Sequence, residues 1–190
     1  MLNEDHILLR EAISGFLSQS RPIDSLRKMI TSGVSIHTDT CKSLSEMGWT
    51  GLLIDEEFGG SDLGLISACL MAENIGRSLL LSPIICSSLL SSYVINLLGT
   101  YNQKKLWLSL IASGKTILTS SFGSNLTNNL PSLTRVNSKI IISGLVFEVL
   151  NAKNADNVLI KVKDENSGKD FLIVATIDSD NIVQKTFTTI

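Results

Sequence analysis

Charged side chains are scarce in this 190-residue chain: Asp, Glu, Lys and Arg make up 18%, against 44% hydrophobic residues, and the net charge is −2. No run of Lys and Arg interleaves with aromatic residues, so the electrostatic footprint of a nucleic-acid binder is missing and no such partner is expected. Cysteine is sparse too. Cys41, Cys69 and Cys86 are odd in number and lack C-x-x-C spacing, which argues against a metal site and suits reduced core thiols in a cytoplasmic protein. The two histidines, His6 and His37, stand alone without ligand spacing and each reads as a surface residue. The start of the chain, MLNEDHILLREAI, has acidic residues where a secretory signal needs basic ones, so export is not expected.

The longest charge-free window runs from Arg77 to Lys104 and is long enough to cross a bilayer. Pro83, Asn96 and the pairs Ser87-Ser88 and Ser91-Ser92 interrupt its apolar residues. They predict a buried bundle helix with a small-residue face, and no membrane span. A mean hydropathy of +0.27 with so little charge implies a deeply buried helical bundle or a surface that depends on partners. The length accommodates one ordinary domain or two small ones.

Apolar spacing predicts a helix over residues 2–18, a shorter one from Asp24 or Ser25 to Ile30 after the break at Arg21-Pro22, and a third over Asp39–Met47. Further helices are expected on either side of Pro83, the second closed by Gly99, and over Asn102–Ser113, with Leu106, Trp107, Leu108, Leu110 and Ile111 on the apolar side of the last. After Gly114 the period becomes strand-like. Thr116, Ile117, Thr119, Ile140–Ile142, Val146–Val149 and Val158–Val162 carry it, and Val158–Lys163 with Phe171–Ile177 reads as a long-loop hairpin. A domain boundary is placed there, giving 1–114 and 115–190.

The stretch Met47–Arg77 joins a buried run (Trp49, Leu52, Leu53, Ile54) to Asp55, Glu56, Glu57, Phe58 and the Gly59-Gly60 pair. An amphipathic helix follows, capped by Ser61 or Asp62, with Leu65, Ile66, Cys69, Met71, Ala72 and Ile75 on its apolar face. A glycine pair before a helix suggests a phosphate cradle. The spacing matches neither dinucleotide nor P-loop fingerprints and the carboxylates would repel an anion, so a structural turn is expected.

This stretch resembles the N-terminal helical domain of the acyl-CoA dehydrogenase family, through Glu56, Glu57, Phe58, Gly59, Gly60, Glu73, Gly76 and Arg77 in order. The family usually has a proline where Asp55 stands. The likeness continues through Gly99, Gln103-Lys104, Leu106 and Ser113-Gly114. It implies an α+β multidomain fold, an N-terminal all-α helical bundle followed by a small, incomplete β-barrel domain that holds the flavin of FAD.

By that resemblance, cofactor-binding positions are Ser121, Phe122, Ser124, Val149, Leu150 and Asn151, which otherwise read as ordinary strand positions. Ser121 replaces a family aromatic, Glu148 a Trp or Phe, and Leu150 a Thr, so a carboxylate stands where the family packs a ring. Ile84 and Ile85 line an acyl-chain slot by resemblance, or belong to the apolar core. The family's glutamate base lies in a later C-terminal helical domain that these 190 residues are expected to lack; none of Glu46, Glu56, Glu57 or Glu73 matches it, and no catalytic residue is named.

The implied activity is FAD-dependent dehydrogenation of an acyl-CoA substrate in fatty acid metabolism. Electrons would pass to an electron-transfer flavoprotein, in a homo- or hetero-oligomer with acyl-CoA dehydrogenase-like subunits. The other readings are a non-catalytic partner packed on a full-length homologue, and a plain helical binding module.

Overall fold

The computed structural model describes residues 2–20, 22–122, 130–137, 139–177 and 182. The chain divides into two compact units, Met1–Ile117 and Leu118–Ile190.

The first unit is helical: α1 Glu4–Ser20, α2 Pro22–Ser32, α3 Thr38–Glu46, α4 Gly64–Ser78, α5 Ser92–Leu98 and α6 Tyr101–Ala112. Its core gathers Ile13 and Leu17 of α1, Leu44 of α3, Met71 and Ile75 of α4, and Leu52, Leu80 and Ile84 from the connections. Phe16 and Trp49 pack against it edge to face, 5.9 Å between ring centres. Each such aliphatic side chain, fully buried, contributes about 1.5–3 kcal/mol of transfer free energy.

Pro22 occupies the first helical position of α2, where a missing N–H costs nothing, so this helix begins two residues before the expected Asp24. His37 is buried, against the expectation of a surface residue. Its ring nitrogens explain the burial: Nδ1 accepts the Leu81 N–H at 3.1 Å, and Nε2 lies 3.0 Å from Pro22 O and 3.1 Å from Ser25 Oγ. These partners assign the Nε2–H tautomer and tie α2 to the segment after α4. His6 is used locally, its Nδ1 accepting the Asn3 N–H while Asn3 Oδ1 accepts the His6 N–H at the start of α1.

The Gly59-Gly60 turn is structural. The N–H groups of Gly60, Ser61, Asp62 and Leu63 donate to carbonyls of Asp55, Gly51, Ile54 and Leu52 and so face inward. A Cβ on Gly60 would lie 1.8 Å from Ile54 O. Neither Ser61 nor Asp62 caps α4. The residue before the helix is Leu63, with no side-chain cap, and Ser61 Oγ instead donates to Gly48 O. The buried face of α4 is also rotated from expectation: Leu65, Ile66 and Cys69 are exposed, while Ser67, Ala68, Leu70, Met71, Asn74 and Ile75 are buried. Ser67 and Asn74 pair with their own helix, to Leu63 O and Leu70 O, which removes the cost of burying them.

After Pro83 the chain forms a π-helical segment, Ile85–Ser91, that runs into α5. Ser91 Oγ donates five residues back to Cys86 O at 2.7 Å, and Ser92 Oγ donates to Ser88 O. Ser87, Ser88, Ser91 and Ser92 are all buried, forming the small-residue face. Gly99 ends α5 in extended conformation; a Cβ there would lie 2.6 Å from Ile95 O. Thr100 and Gln103 form a capping box for α6, which starts at Tyr101, one residue before the expected Asn102. Leu106 is exposed rather than on the buried side. A Schellman pair, Gly114 N–H to Ile111 O and Lys115 N–H to Leu110 O, stops the helix, with Gly114 at φ +65°.

The second unit is an open sheet of β1 Leu118–Ser121, β2 Ser132–Val136, β3 Lys139–Ser143, β4 Asn157–Asp164 and β5 Asp170–Thr176. β4 is central. It pairs in parallel with β1, Leu118 opposite Asn157, and with β2, Leu133 opposite Asp164, and antiparallel with β5 as the expected hairpin. β2 and β3 form a second hairpin. Leu133, Val158, Ile160 and Val162 make its core. The expected strand at Val146–Val149 does not form. Glu148 and Asn151 hold φ of +55°, which breaks extended pairing, and hydroxyl groups of β1 replace the ladder there.

Candidate functional site

Strand alternation puts Thr119 and Ser121 on one face of β1, level with Val158 and Ile160 of β4. Both hydroxyls are buried and both donate to the irregular segment that follows β3. Ser121 Oγ reaches Phe147 O at 2.6 Å, and Thr119 Oγ1 reaches Leu150 O at 2.5 Å. The stretches singled out in the sequence, the end of β1 and residues 147–151, are therefore brought side by side.

Within that assembly Phe122 is half-buried just beyond β1, and Ser124 lies outside the described residues. Val149 is half-buried against the sheet core. Leu150 is 60% exposed, so it meets the site through its backbone rather than its side chain. Asn151, with its left-handed backbone, precedes a single 3-10 turn, Ala152–Asn154. Ile84 and Ile85 belong to the first unit and point to different surroundings, Ile84 into the helical core and Ile85 exposed at the start of the π-helical segment.

Thr119 is the residue that sequence reasoning underused. It was read only as part of a strand, yet Thr119-x-Ser121 places two hydroxyls on one strand face, which is the signal for a side-chain-to-backbone clamp.

Three observations bear on whether a flavin fits here. Residues 145–151 join no described strand, and the Phe147, Leu150 and Asn151 carbonyls accept from Ser121 Oγ, Thr119 Oγ1 and the Asn154 N–H. Glu148 is exposed, so its carboxylate faces water instead of lining a buried ring site. Ser120 Oγ, buried on the opposite face of β1, has no hydrogen-bond partner among the described residues. The Ser121 hydroxyl is already engaged and adds nothing to a ligand. The aromatic contacts that the resemblance implies at Ser121 and Glu148 are missing, so a ring placed here would have to be held by backbone groups. Among the described residues no group of three His, Cys, Asp or Glu is placed to hold a metal, and no helix is long and apolar enough to cross a membrane.

The fold is a helical unit followed by an open five-stranded sheet whose first strand is joined by two hydroxyls to the segment after β3. The sequence model described as acyl-CoA dehydrogenase, N-terminal domain, matches residues 3–115, and the chain belongs to the acyl-CoA dehydrogenase family. Over 88 residues it is 34% identical to the (2S)-methylsuccinyl-CoA dehydrogenase of Cereibacter sphaeroides, a match that covers 46% of this chain and 16% of that protein. The ChsE4–ChsE5 complex of Mycobacterium tuberculosis superposes with a TM-score of 0.89 at 14% identity, over 100% of this chain and 51% of that one. An acyl-CoA dehydrogenase from Bacillus anthracis, solved with FAD, superposes with a TM-score of 0.81 at 19% identity, over 99% of this chain and 34% of that one. The chain thus spans about half, or less, of the proteins it matches.

Proposed function

We propose that this chain supplies the helical and flavin-holding part of an acyl-CoA dehydrogenase. The reaction would be α,β-dehydrogenation of an acyl-CoA thioester with hydride transfer to FAD, and an electron-transfer flavoprotein as the acceptor beyond. Residues 1–114 form the helical domain and 115–190 the β-domain in this reading. It acts together with acyl-CoA dehydrogenase-like subunits as a homo- or hetero-oligomer, with the glutamate base supplied outside these 190 residues. FAD, when bound, supplies the two-electron acceptor. The chain's own contribution is to hold the ring edge with backbone groups of Ser121, Phe122 and Val149–Asn151.

One observation supports the reading: the hydroxyl links between β1 and residues 147–151 bring together the two stretches to which the resemblance assigns the flavin. Titrating the purified protein with FAD while following flavin fluorescence tests it. Saturable quenching and a yellow protein after gel filtration are expected, and an unchanged emission overturns the flavin assignment.

A second reading is a flavin-free partner subunit. The apolar residues left on the surface of α4 and α5, Leu65, Ile66, Leu97 and Leu98, favour it. Its mark is a colourless chain that elutes together with a full-length homologue.

A further inference from the structure

We infer that the outward, apolar face of the helix running from Ile85 through α5 to Leu98 is where two copies of this chain meet, face to face about a two-fold axis. This rests on the homo-oligomer reading above and adds to it the surface that joins the copies.

This helix is inside out. Ser87, Ser88, Ser91 and Ser92 are buried, while Ile85, Leu90, Tyr93 and Leu97 are between 40% and 68% exposed. Burying the serines costs little, since Ser91 Oγ donates to Cys86 O and Ser92 Oγ to Ser88 O. The π turn makes the outer row continuous. Its i→i+5 closure stacks Ile85 with Leu90, and the ordinary α spacing of three and four then carries the row to Tyr93 and Leu97. On an unbroken α-helix Ile85 would align with Ser88 and Ser92 instead, and the row would lose its first member.

Area and charge together choose the occupant. Leu98 and Tyr101, 65% and 60% exposed, follow the row at the end of α5 and the start of α6. With it they present on the order of 600 Å² of largely apolar surface, the upper limit of what a lone monomer leaves bare and one partner's share of a small stable interface. No charged residue lies between Arg77 and Lys104. In a two-fold contact each residue meets its own copy or a symmetry mate, so a charged face repels itself. This helix brings no like charges together and strands none away from water. An antiparallel crossing sets Leu90 of one copy against Tyr93 of the other, and Ile85 against Leu97.

Sedimentation velocity of the whole chain over a dilution series, kept to concentrations that stay clear, tests this. A mass of two chains that dissociates on dilution is expected. Leu97→Glu and Tyr93→Glu each bring like charges into the contact and are expected to raise the dissociation constant about thirtyfold or more. Leu65→Glu, on the exposed side of α4, is expected to change it by no more than about twofold. All three side chains are exposed in the single chain, so thermal midpoints near wild type are expected as the check on folding. A wild-type monomer at every concentration overturns the inference, as does a dimer that the two α5 variants leave intact or that Leu65→Glu dissolves equally well. A monomer that coelutes with a full-length homologue, or floats with phosphatidylcholine vesicles, and loses that property in Leu97→Glu overturns the second copy as occupant. The FAD titration above decides the flavin reading separately, so the two failures read out apart.

Discussion

Arg135 Nη1 lies 2.7 Å from Asp164 Oδ2, and the same guanidinium stands 5.7 Å from the centre of the Phe171 ring. One cation thus joins β2 to both strands of the β4–β5 hairpin. Asp164 also accepts from the Asn166 N–H and the Ser167 hydroxyl, so its carboxylate shapes the turn it opens.

Acid should loosen that turn. The Arg135 hydrogen bond, more than any other influence, holds the Asp164 carboxyl below its usual range. A carboxyl lowered by folding stabilises the fold fully above its unfolded value, about 3.9, and the contribution is lost as pH falls through the lowered value. Asp164→Asn is therefore expected to melt earlier than wild type at neutral pH, with the gap closing in acid. Thermal midpoints across a pH series check this.

His37 is expected to be worth more than its isolation in sequence suggests. His37→Ala leaves the Leu81 N–H and Pro22 O without their partner and opens space in the helical unit, at a cost of about 2–3 kcal/mol. Urea unfolding measures it, and a loss below about 0.5 kcal/mol would refute the clamp.

Gly60 and Gly15 should respond in opposite directions. An added methyl at Gly60 meets backbone at 1.8 Å, so Gly60→Ala is expected to cost about 3 kcal/mol or more. Gly15, within α1, has nothing within 4 Å, so Gly15→Ala should gain about 0.5–1 kcal/mol from helix propensity. Denaturant midpoints for the two variants side by side decide.

The three thiols should separate by reactivity. Cys69 is exposed on α4, Cys86 is buried, and burial pushes the Cys41 thiol up to about 11. At pH 8 that leaves about one Cys41 in a thousand as the reactive thiolate. Brief alkylation of the folded protein, mapped by mass spectrometry, should label Cys69 first.

Helix existence was legible because the apolar period and the breakers agree, as at Pro22, Pro83 and Gly114. What escaped was decided by bonds to distant or local backbone. His37 meets Pro22, Ser25 and Leu81, and no spacing rule links those positions. The face of α4 was misjudged because Ser67 and Asn74 satisfy themselves on their own helix, so polar residues went inside while Leu65 and Ile66 stayed out. At Val146–Val149 the β-branched pattern was overridden by two left-handed residues and two hydroxyls. The departure at Asp55 has a physical reading as well. Its φ of −59° is one a proline adopts, and its carboxylate accepts Asn96 Nδ2 at 3.0 Å, so a link to α5 stands in for ring rigidity.

β3 ends the strand path with its outer edge paired to no described strand, and it exposes Ile140 and Ile141 in a run of isoleucines guarded by Lys139 alone. Such a border invites copies of the chain to zip together as a growing ribbon. Concentrated stocks will therefore turn cloudy by this route, and a second lysine in place of Ile140 will keep them clear.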